Sequence, residues 1–302
     1  MSYIGLDIGG TNIRYAFADG LETNDLKYQK RPFVKTGDPY SEVEINICSY
    51  IDNSISEIKG ISISLAAIMD RTTGRVKTWP NNHCWNYYEL MRHLRGRYHV
   101  PIVIEDDANC GAIGEYLCIS ARTKNMAYIS IGTGIGCGLV LNGSLFIGEN
   151  GFAGELGHVW IDKAANGIVC SCGNKGCCQS LASGSAVLKE YNTGAKANLE
   201  SLEQVYDLYV QNDPKSIECF SNMIDNISMV TYNLAMCLDL SVFIIGGGVS
   251  NTGARFISNI ENKVNDRLKS FEREIVVGQA RLGEFSGVYG ALALLKSYIE
   301  KG

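Results

Sequence analysis

No stretch of about 18 consecutive apolar residues occurs in the 302-residue chain, and no basic segment runs into an apolar one. Neither a membrane helix nor an export signal is expected, so the expected setting is soluble and cytoplasmic. Like charges never run in blocks of five or six, and the net charge is −5 with a pI near 5.5. This leaves no electrostatic footprint for nucleic acid or an anionic membrane. Any phosphate ligand has to be held locally, by backbone and short polar side chains. The 11 cysteines are odd in number, and those outside one cluster are scattered, which argues for reduced thiols and against a disulfide framework. Two phosphate-binding signatures are also missing. There is no Walker A pattern, and "GTGIGCG" does not open a helix as a Rossmann fingerprint must, because "CGLVLNG" continues a strand.

What is present begins with a repeated unit. "SYIGLDIGGTNIRYAFADGLE" reads as a strand to Ile8, a turn over Gly9, Gly10, Thr11 and Asn12, a strand from Ile13 to Ala18 and a hairpin signal at Asp19-Gly20. "MAYISIGTGIGCGLVLNGSLF" has the same layout 123 residues later: Ile8-Gly9 falls on Ile131-Gly132 and Asp19-Gly20 on Asn142-Gly143. A third glycine cluster, Gly246-Gly247-Gly248, ends the apolar strand of "VFIIGGGVSNTG". Helical patterns cover Val43 to Ile58, Tyr87 to Tyr98, Ala108 to Ala121, Ser183 to Glu190 and Ser221 to Cys237, with a closing amphipathic helix at the C-terminus. The alternation argues for an α/β fold, and the length for two domains.

Glycine turns free of Cβ atoms let backbone amides converge on a phosphate, with Thr11, Asn12 and Thr133 adding short donors. Ordinary hairpin turns are the plainer reading of either turn alone. Their repetition, and Asp7 on the strand entering the first, favour a nucleotide triphosphate with Mg2+ held by Asp7 through water. In "VPIVIEDDANCGAIGEY" a buried strand from Val100 to Ile104 runs into Glu105, Asp106 and Asp107 and then a helix. Ligands gather at such strand ends in α/β sheets, and a phosphoryl acceptor hydroxyl needs an acid to take its proton. Asp107 suits that role; a helix N-cap is the alternative.

In order, "LDIGGTNIR", "EDDANCGAIGE", "ISIGTGIGCGLVLNG", "GENGFAGELGH", "CSCGNKGC" and "FIIGGGV" resemble the ROK family of sugar kinases and related repressors, within the actin-like ATPases. The resemblance implies a two-lobed actin-like, ribonuclease H-like α/β fold with the ligands in a cleft between lobes. The small N-terminal lobe would span 1–108 and be completed by a helix at 289–302; the large lobe would span 109–288. It implies ATP, Mg2+ and a hexose phosphorylated at O6, with Asp107 as general base. The nucleotide would be held by Asp7, Gly9 to Asn12, Gly132, Thr133, Gly134, Gly136, Gly247 and Gly248. A homodimer is expected.

His158 followed by Cys170, Cys172 and Cys177 has the donor types and spacing of a tetrahedral zinc site, and the matching residues hold structural zinc in the family. Unligated cysteines are the alternative, and Cys178 is read as a bystander. The resemblance makes Asn81 of "WPNNHCW", Asp106, Glu155, His158 and Gln179 sugar contacts, His158 through its second ring nitrogen. Three departures bear on substrate choice: Ala66-Ala67 for Pro-Gly, Asp106 for asparagine and Gln179 for glutamate. The "AAIMD" form is closer to D-allose kinases than to glucokinases. Glucose, fructose or N-acetylmannosamine kinases, a catalytically weak sugar sensor and an actin-like assembly protein are the alternatives. A repressor would carry a helix-turn-helix before the first strand, which starts by Tyr3, so that reading is not expected.

Overall fold

The computed structural model describes residues 2–19, 26–54, 57–163 and 168–301. The chain divides into two compact units, Met1–Cys118 with Phe285–Gly302, and Ile119–Glu284.

In the first unit the strands are β1 (Ser2–Ile8), β2 (Asn12–Ala18), β3 (Lys27–Pro32), β4 (Ile58–Leu65), the small ribbon β5 (Ile68–Asp70) and β6 (Arg75–Thr78), and β7 (Ile102–Asp106). The main sheet runs β3-β2-β1-β4-β7, an antiparallel meander followed by two strands parallel to β1. β1 and β4 are apolar because they are central. The edge strand β3, "KYQKRP", is exposed throughout, and its charges discourage pairing with another chain. The core on this sheet includes Ile4, Leu6, Ile61 and Ile63, with Trp79 and Trp85 from the loop after β6.

The second unit repeats the plan with β8 (Met126–Ile131), β9 (Ile135–Leu141), β10 (Ser144–Phe146), β11 (Val242–Gly246) and β12 (Val276–Gln279), in the order β10-β9-β8-β11-β12. The internal duplication is therefore a duplication of sheet topology. The constant 123-residue offset needs one correction. Ile8 pairs with Ile13 across the first glycine turn, but Ile131 pairs with Ile135 across the second, which is one residue shorter. The slip is needed to keep Ile135, like Ile13, on the buried face. Asn142 and Gly143 close the β9-β10 hairpin with φ of 55° and 79°, the left-handed pair that a two-residue turn requires. The matching signal at Asp19-Gly20 lies partly outside the described residues.

Several helix bounds differ from the sequence reading. The first helix starts at Pro39, capped by Asp38, passes through a π turn at Glu44–Cys48 and ends at Ser54, so Ile58 is already strand. Gly37 carries a φ of 83° and sets up the cap. The helix expected from Tyr87 begins only at Leu90, because Tyr87 is left-handed at φ 66°. The next spans Asp107–Ile119, and that expected over Ser183 to Glu190 spans Gly184–Ala195 with Ser183 as its cap. The long helix starts earlier, at Pro214 behind the cap Asp213, and the C-terminal helix spans Ser286–Lys301. Helices Leu202–Val210 and Ala254–Leu268 were not expected. The first carries a full capping box between Ser201 and Gln204. The second buries Phe256, Ile257, Ile260, Val264 and Leu268, a helical stripe in which each large side chain contributes about 1.5–3 kcal/mol.

The C-terminal helix completes the first unit by lying on its sheet and crossing helix Asp107–Ile119 at Gly114 and Gly290. A Cβ at Gly114 would lie 2.5 Å from the Ser286 carbonyl, and one at Gly290 would overlap the Cys110 carbonyl. Only glycine permits this approach, and backbone cannot move aside as a side chain can. Gly290→Ala is accordingly expected to lower stability by about 1–3 kcal/mol through forced separation of the two helices. Denaturant unfolding of the variant against wild type measures this.

Candidate functional site

The three acids after β7 divide their tasks. Glu105 is buried and held by both guanidinium arms of Arg71, at 2.7 and 2.5 Å, and it also accepts from the Asn109 amide at 3.0 Å. Asp106 Oδ1 accepts from the backbone N–H of Ala108 and Asn109, so Asp106 is the cap of the helix that follows. Asp107 is the first residue of that helix. The capping alternative for Asp107 therefore falls to its neighbour. Asp107 stands at the C-terminal edge of parallel strands, beside a helix N-terminus where negative charge is favoured.

Asp7, one residue before the end of β1, is mostly buried. Its carboxylate accepts from Ser64 Oγ at 2.6 Å and pairs with Arg14 at 3.2 Å. Arg14, Ser64 and Arg71 carry no sequence signal of their own, because their partners are set by strand pairing and long-range packing. The turn after β1 is closed by Gly9 N–H donating to Asn12 O, while Asn12 Nδ2 donates to Thr11 Oγ1. Gly10 packs on Asn81: a Cβ there would lie 2.9 Å from Asn81 Cβ. Ala66 N–H donates to Ile8 O, which sets the Ala66-Ala67 pair against the same turn.

The two asparagines of "WPNNHCW" have different roles. Asn81 is exposed beside Gly10. Asn82 is buried and donates to the carboxylate of Glu42, which has no exposure to solvent. Glu42 also accepts from Trp85 Nε1 and from the amides of Thr36 and Gly37. Burial alone pushes this carboxyl up, but the donors outweigh it and hold the group below its ordinary value.

In the second unit, Gly132 N–H donates to Gly134 O across the second turn, and Gly132 O accepts from Gly184. Nothing lies within 4 Å of the Cβ position of Gly132 or of Gly248. By contrast, a side chain at Gly246 or Gly247 would strike Tyr128 or the Ile131 backbone. Packing thus accounts for the first two glycines of the "GGG" and leaves Gly248 facing open space.

His158, Cys170, Cys172 and Cys177 each offer a ligand atom, all within 4.8 Å of one another. Cys170 Sγ lies 3.6 Å from His158 Nδ1, and Cys172 Sγ lies 3.7 Å from Cys177 Sγ. Burial resists ionisation of Cys170, but the Cys172 amide, Gln179 and His158 hold its thiol below the usual range, while burial and the neighbouring Cys172 and Cys170 push the Cys177 thiol up. Cys178 lies outside the set and is buried in the core. With Nδ1 toward the cysteines, His158 turns Nε2 toward Glu155, 4.0 Å away. Burial raises the Glu155 carboxyl, partly offset by His158. Gln179 Nε2 donates to Cys170 Sγ at 3.2 Å and Ser171 Oγ at 3.1 Å, while its Oε1 lies beside Gly134 and Gly157. The cluster's donor set and spacing fit a zinc ion.

Among the described residues, no helix is long and apolar enough to cross a membrane. The sequence pattern of the ROK family matches residues 3–298. A glucokinase from Streptomyces coelicolor is 30% identical over 97% of this chain and 97% of its own length. A xylose repressor from Bacillus spizizenii is 32% identical over 69% of this chain, and the chain spans about half of that protein, 53%. A ROK family glucokinase from Streptomyces griseus, solved with glucose and AMPPNP, superposes with a TM-score of 0.82 at 26% identity, covering 98% of this chain and 100% of that one. The α/β fold is thus that of the actin-like ATPases.

Because the folded-state value of Glu42 is lowered, its contribution to stability is present above the ordinary glutamate pKa of 4.5 and is lost as pH falls through the folded value. Glu42→Gln turns a donor amide toward other donors and is expected to cost about 2–3 kcal/mol at neutral pH. It should also flatten the loss of stability on acidification. Denaturant unfolding of wild type and variant across the acid range measures both.

Proposed function

The chain belongs to the ROK family, and from that premise we propose that it is an ATP-dependent hexose kinase, transferring the γ-phosphoryl group of ATP to a sugar hydroxyl, O6 by preference. The observation that carries this reading is the division of tasks after β7, where Asp106 caps the helix and Glu105 is tied to Arg71. Asp107, the first residue of that helix at the C-terminal end of a parallel strand, is assigned to the acceptor. Its carboxylate takes the proton from the attacking hydroxyl as the new O–P bond forms and the bond to ADP breaks.

The two turns, closed by the Gly9 and Gly132 amides and followed in the second by Gly136, face the phosphates of ATP, with the backbone amides of Gly10, Thr11 and Asn12 and of Thr133 and Gly134 as donors. Gly247 and Gly248 lie along the adenosine, where the open space at Gly248 admits it. Mg2+, when bound with ATP, neutralises charge on the phosphates; Asp7 would hold it through water, sharing its carboxylate with Arg14. Asn81, Asp106, Glu155, His158 and Gln179 contact the sugar. Zn2+ would be held by His158, Cys170, Cys172 and Cys177, and it supplies folding free energy to a loop with little apolar area of its own.

The "AAIMD" form at Ala66-Ala67 favours D-allose over glucose as the acceptor, and Asp106 and Gln179 change the pattern of donors and acceptors offered to the sugar. A panel of allose, glucose, mannose, fructose and N-acetylmannosamine, assayed for ADP release, tests this choice. Consumption of ATP with allose at the highest kcat/KM is expected; a sugar that is bound without turnover would instead favour a sensor. Asp107→Asn is expected to lower kcat by about 10²–10⁴ while leaving sugar affinity nearly unchanged. Steady-state kinetics with isothermal titration of the sugar separates the two quantities, and near-normal turnover would remove Asp107 from its role. Cys172→Ser is expected to reduce bound zinc and to raise the sugar KM more than the ATP KM.

A further inference from the structure

A second set of metal-ligand types stands in the first unit, away from the acids after β7. Glu44 opens the π turn Glu44–Cys48 and Cys48 closes it, so both project toward His93 on helix Leu90–Arg97. His93 Nε2 lies 2.9 Å from Glu44 Oε1 and 4.0 Å from Cys48 Sγ, and the three ligand atoms fall within 4.8 Å of one another. That is the same compactness as the His158, Cys170, Cys172 and Cys177 set, where the sulfur-to-nitrogen distance is 3.6 Å. The supporting contacts are also those of a built site. His93 Nδ1 is bonded to the Tyr88 hydroxyl at 2.5 Å, which fixes the ring and directs Nε2 at the other two ligands. The second carboxylate oxygen of Glu44 accepts from Arg97 Nη1 at 3.0 Å.

We propose that Glu44, Cys48 and His93 bind a divalent transition metal of the zinc class. An ion pair alone would account for Glu44 and His93. It leaves unexplained a buried thiol aimed at the same imidazole nitrogen, and a π turn, a rare helical form that is frequent at functional sites. Thiolate, imidazole and carboxylate together suit Zn2+ and not Mg2+ or Ca2+, which take all-oxygen shells. On binding, the thiol proton leaves to solvent and the imidazole proton moves from Nε2 to Nδ1, where the Tyr88 hydroxyl accepts it in a hydrogen bond, so that the metal enters between the Glu44 and His93 atoms that now bond each other. Three protein ligands leave a fourth position for water or an added ligand, as open zinc sites do. A cleft of about 590 Å3, whose charged lining is Glu44, Glu89, Arg92, His93 and Arg97, gives the ion its path of entry. The same helix carries Glu42, which holds the loop presenting Asn81, so an ion at Glu44 would stiffen the segment on which that loop rests.

The test is independent of the kinase reading. Chelator-stripped protein is titrated with Zn2+ against a chromophoric competitor, and Cys48→Ala and His93→Gln are compared with wild type. Each variant is expected to bind one equivalent less than wild type, whatever the His158 cluster takes up, and with Co2+ the Cys48→Ala variant should lose part of the thiolate charge-transfer absorption. Unchanged stoichiometry in both variants overturns the proposal. If neither variant folds, zinc K-edge absorption of the fully loaded wild type decides. Mean sulfur coordination below that of a Cys3His site supports a second centre, and coordination equal to it excludes one.

Discussion

A carboxylate cannot be taken out of water unless every lone pair is met by a donor, and in the first unit that demand fixes the positions of most residues that bear on chemistry. Three glutamates are buried there: Glu42, Glu105 and Glu115. Glu42 gathers the amides of Thr36 and Gly37 with the side chains of Asn82 and Trp85, and so sets the loop carrying Asn81. Glu105 gathers Arg71, Asn109 and the Asp106 amide, and so sets the turn from which Asp107 emerges. Glu115 accepts from Ser286 at 2.7 Å, and so ties the C-terminal helix to the helix that Asp107 begins. Each network reaches across the chain, which makes the geometry cooperative: loosening one donor leaves a buried charge short and costs more than the bond itself.

This explains what could be read from sequence. Turn chemistry is local, so the glycine turns and the Asn142-Gly143 hairpin were legible, and the grouping of His158, Cys170, Cys172 and Cys177 could be read from their spacing. The one-residue slip between the two halves was not legible, because turn length sets which strand face is buried and the glycines do not count it. Glu42, Arg71 and Arg14 were missed because their partners lie at strand ends and loops that only the folded sheet brings near. The Glu44, Cys48 and His93 set was missed for the same reason, with His93 45 residues from Cys48. Helix Ala254–Leu268 is a different case. Its apolar stripe at Phe256, Ile257, Ile260, Val264 and Leu268 was visible, but its asparagines lower helix propensity, and packing overrides propensity there.

The departures from the family pattern can now be weighed by what the side chains touch. An aspartate at 106 accepts from the Ala108 and Asn109 amides as an asparagine would, so the cap is unaffected by the exchange and any effect on a sugar comes from the loss of a donor. Gln179 differs, since its amide donates to Cys170 Sγ. Were Zn2+ held by three thiolates and a neutral imidazole, the centre would carry a net negative charge, and the glutamate of the family pattern would turn away from a sulfur that the Gln179 amide can approach. A neutral amide instead donates to the thiolate and steadies it. Its oxygen meanwhile rests beside Gly134, in the second glycine turn. The exchange at 179 therefore acts first on the metal loop and on the turn it supports, and a change in sugar preference traced to this residue would come through the position of that turn as well as through direct contact.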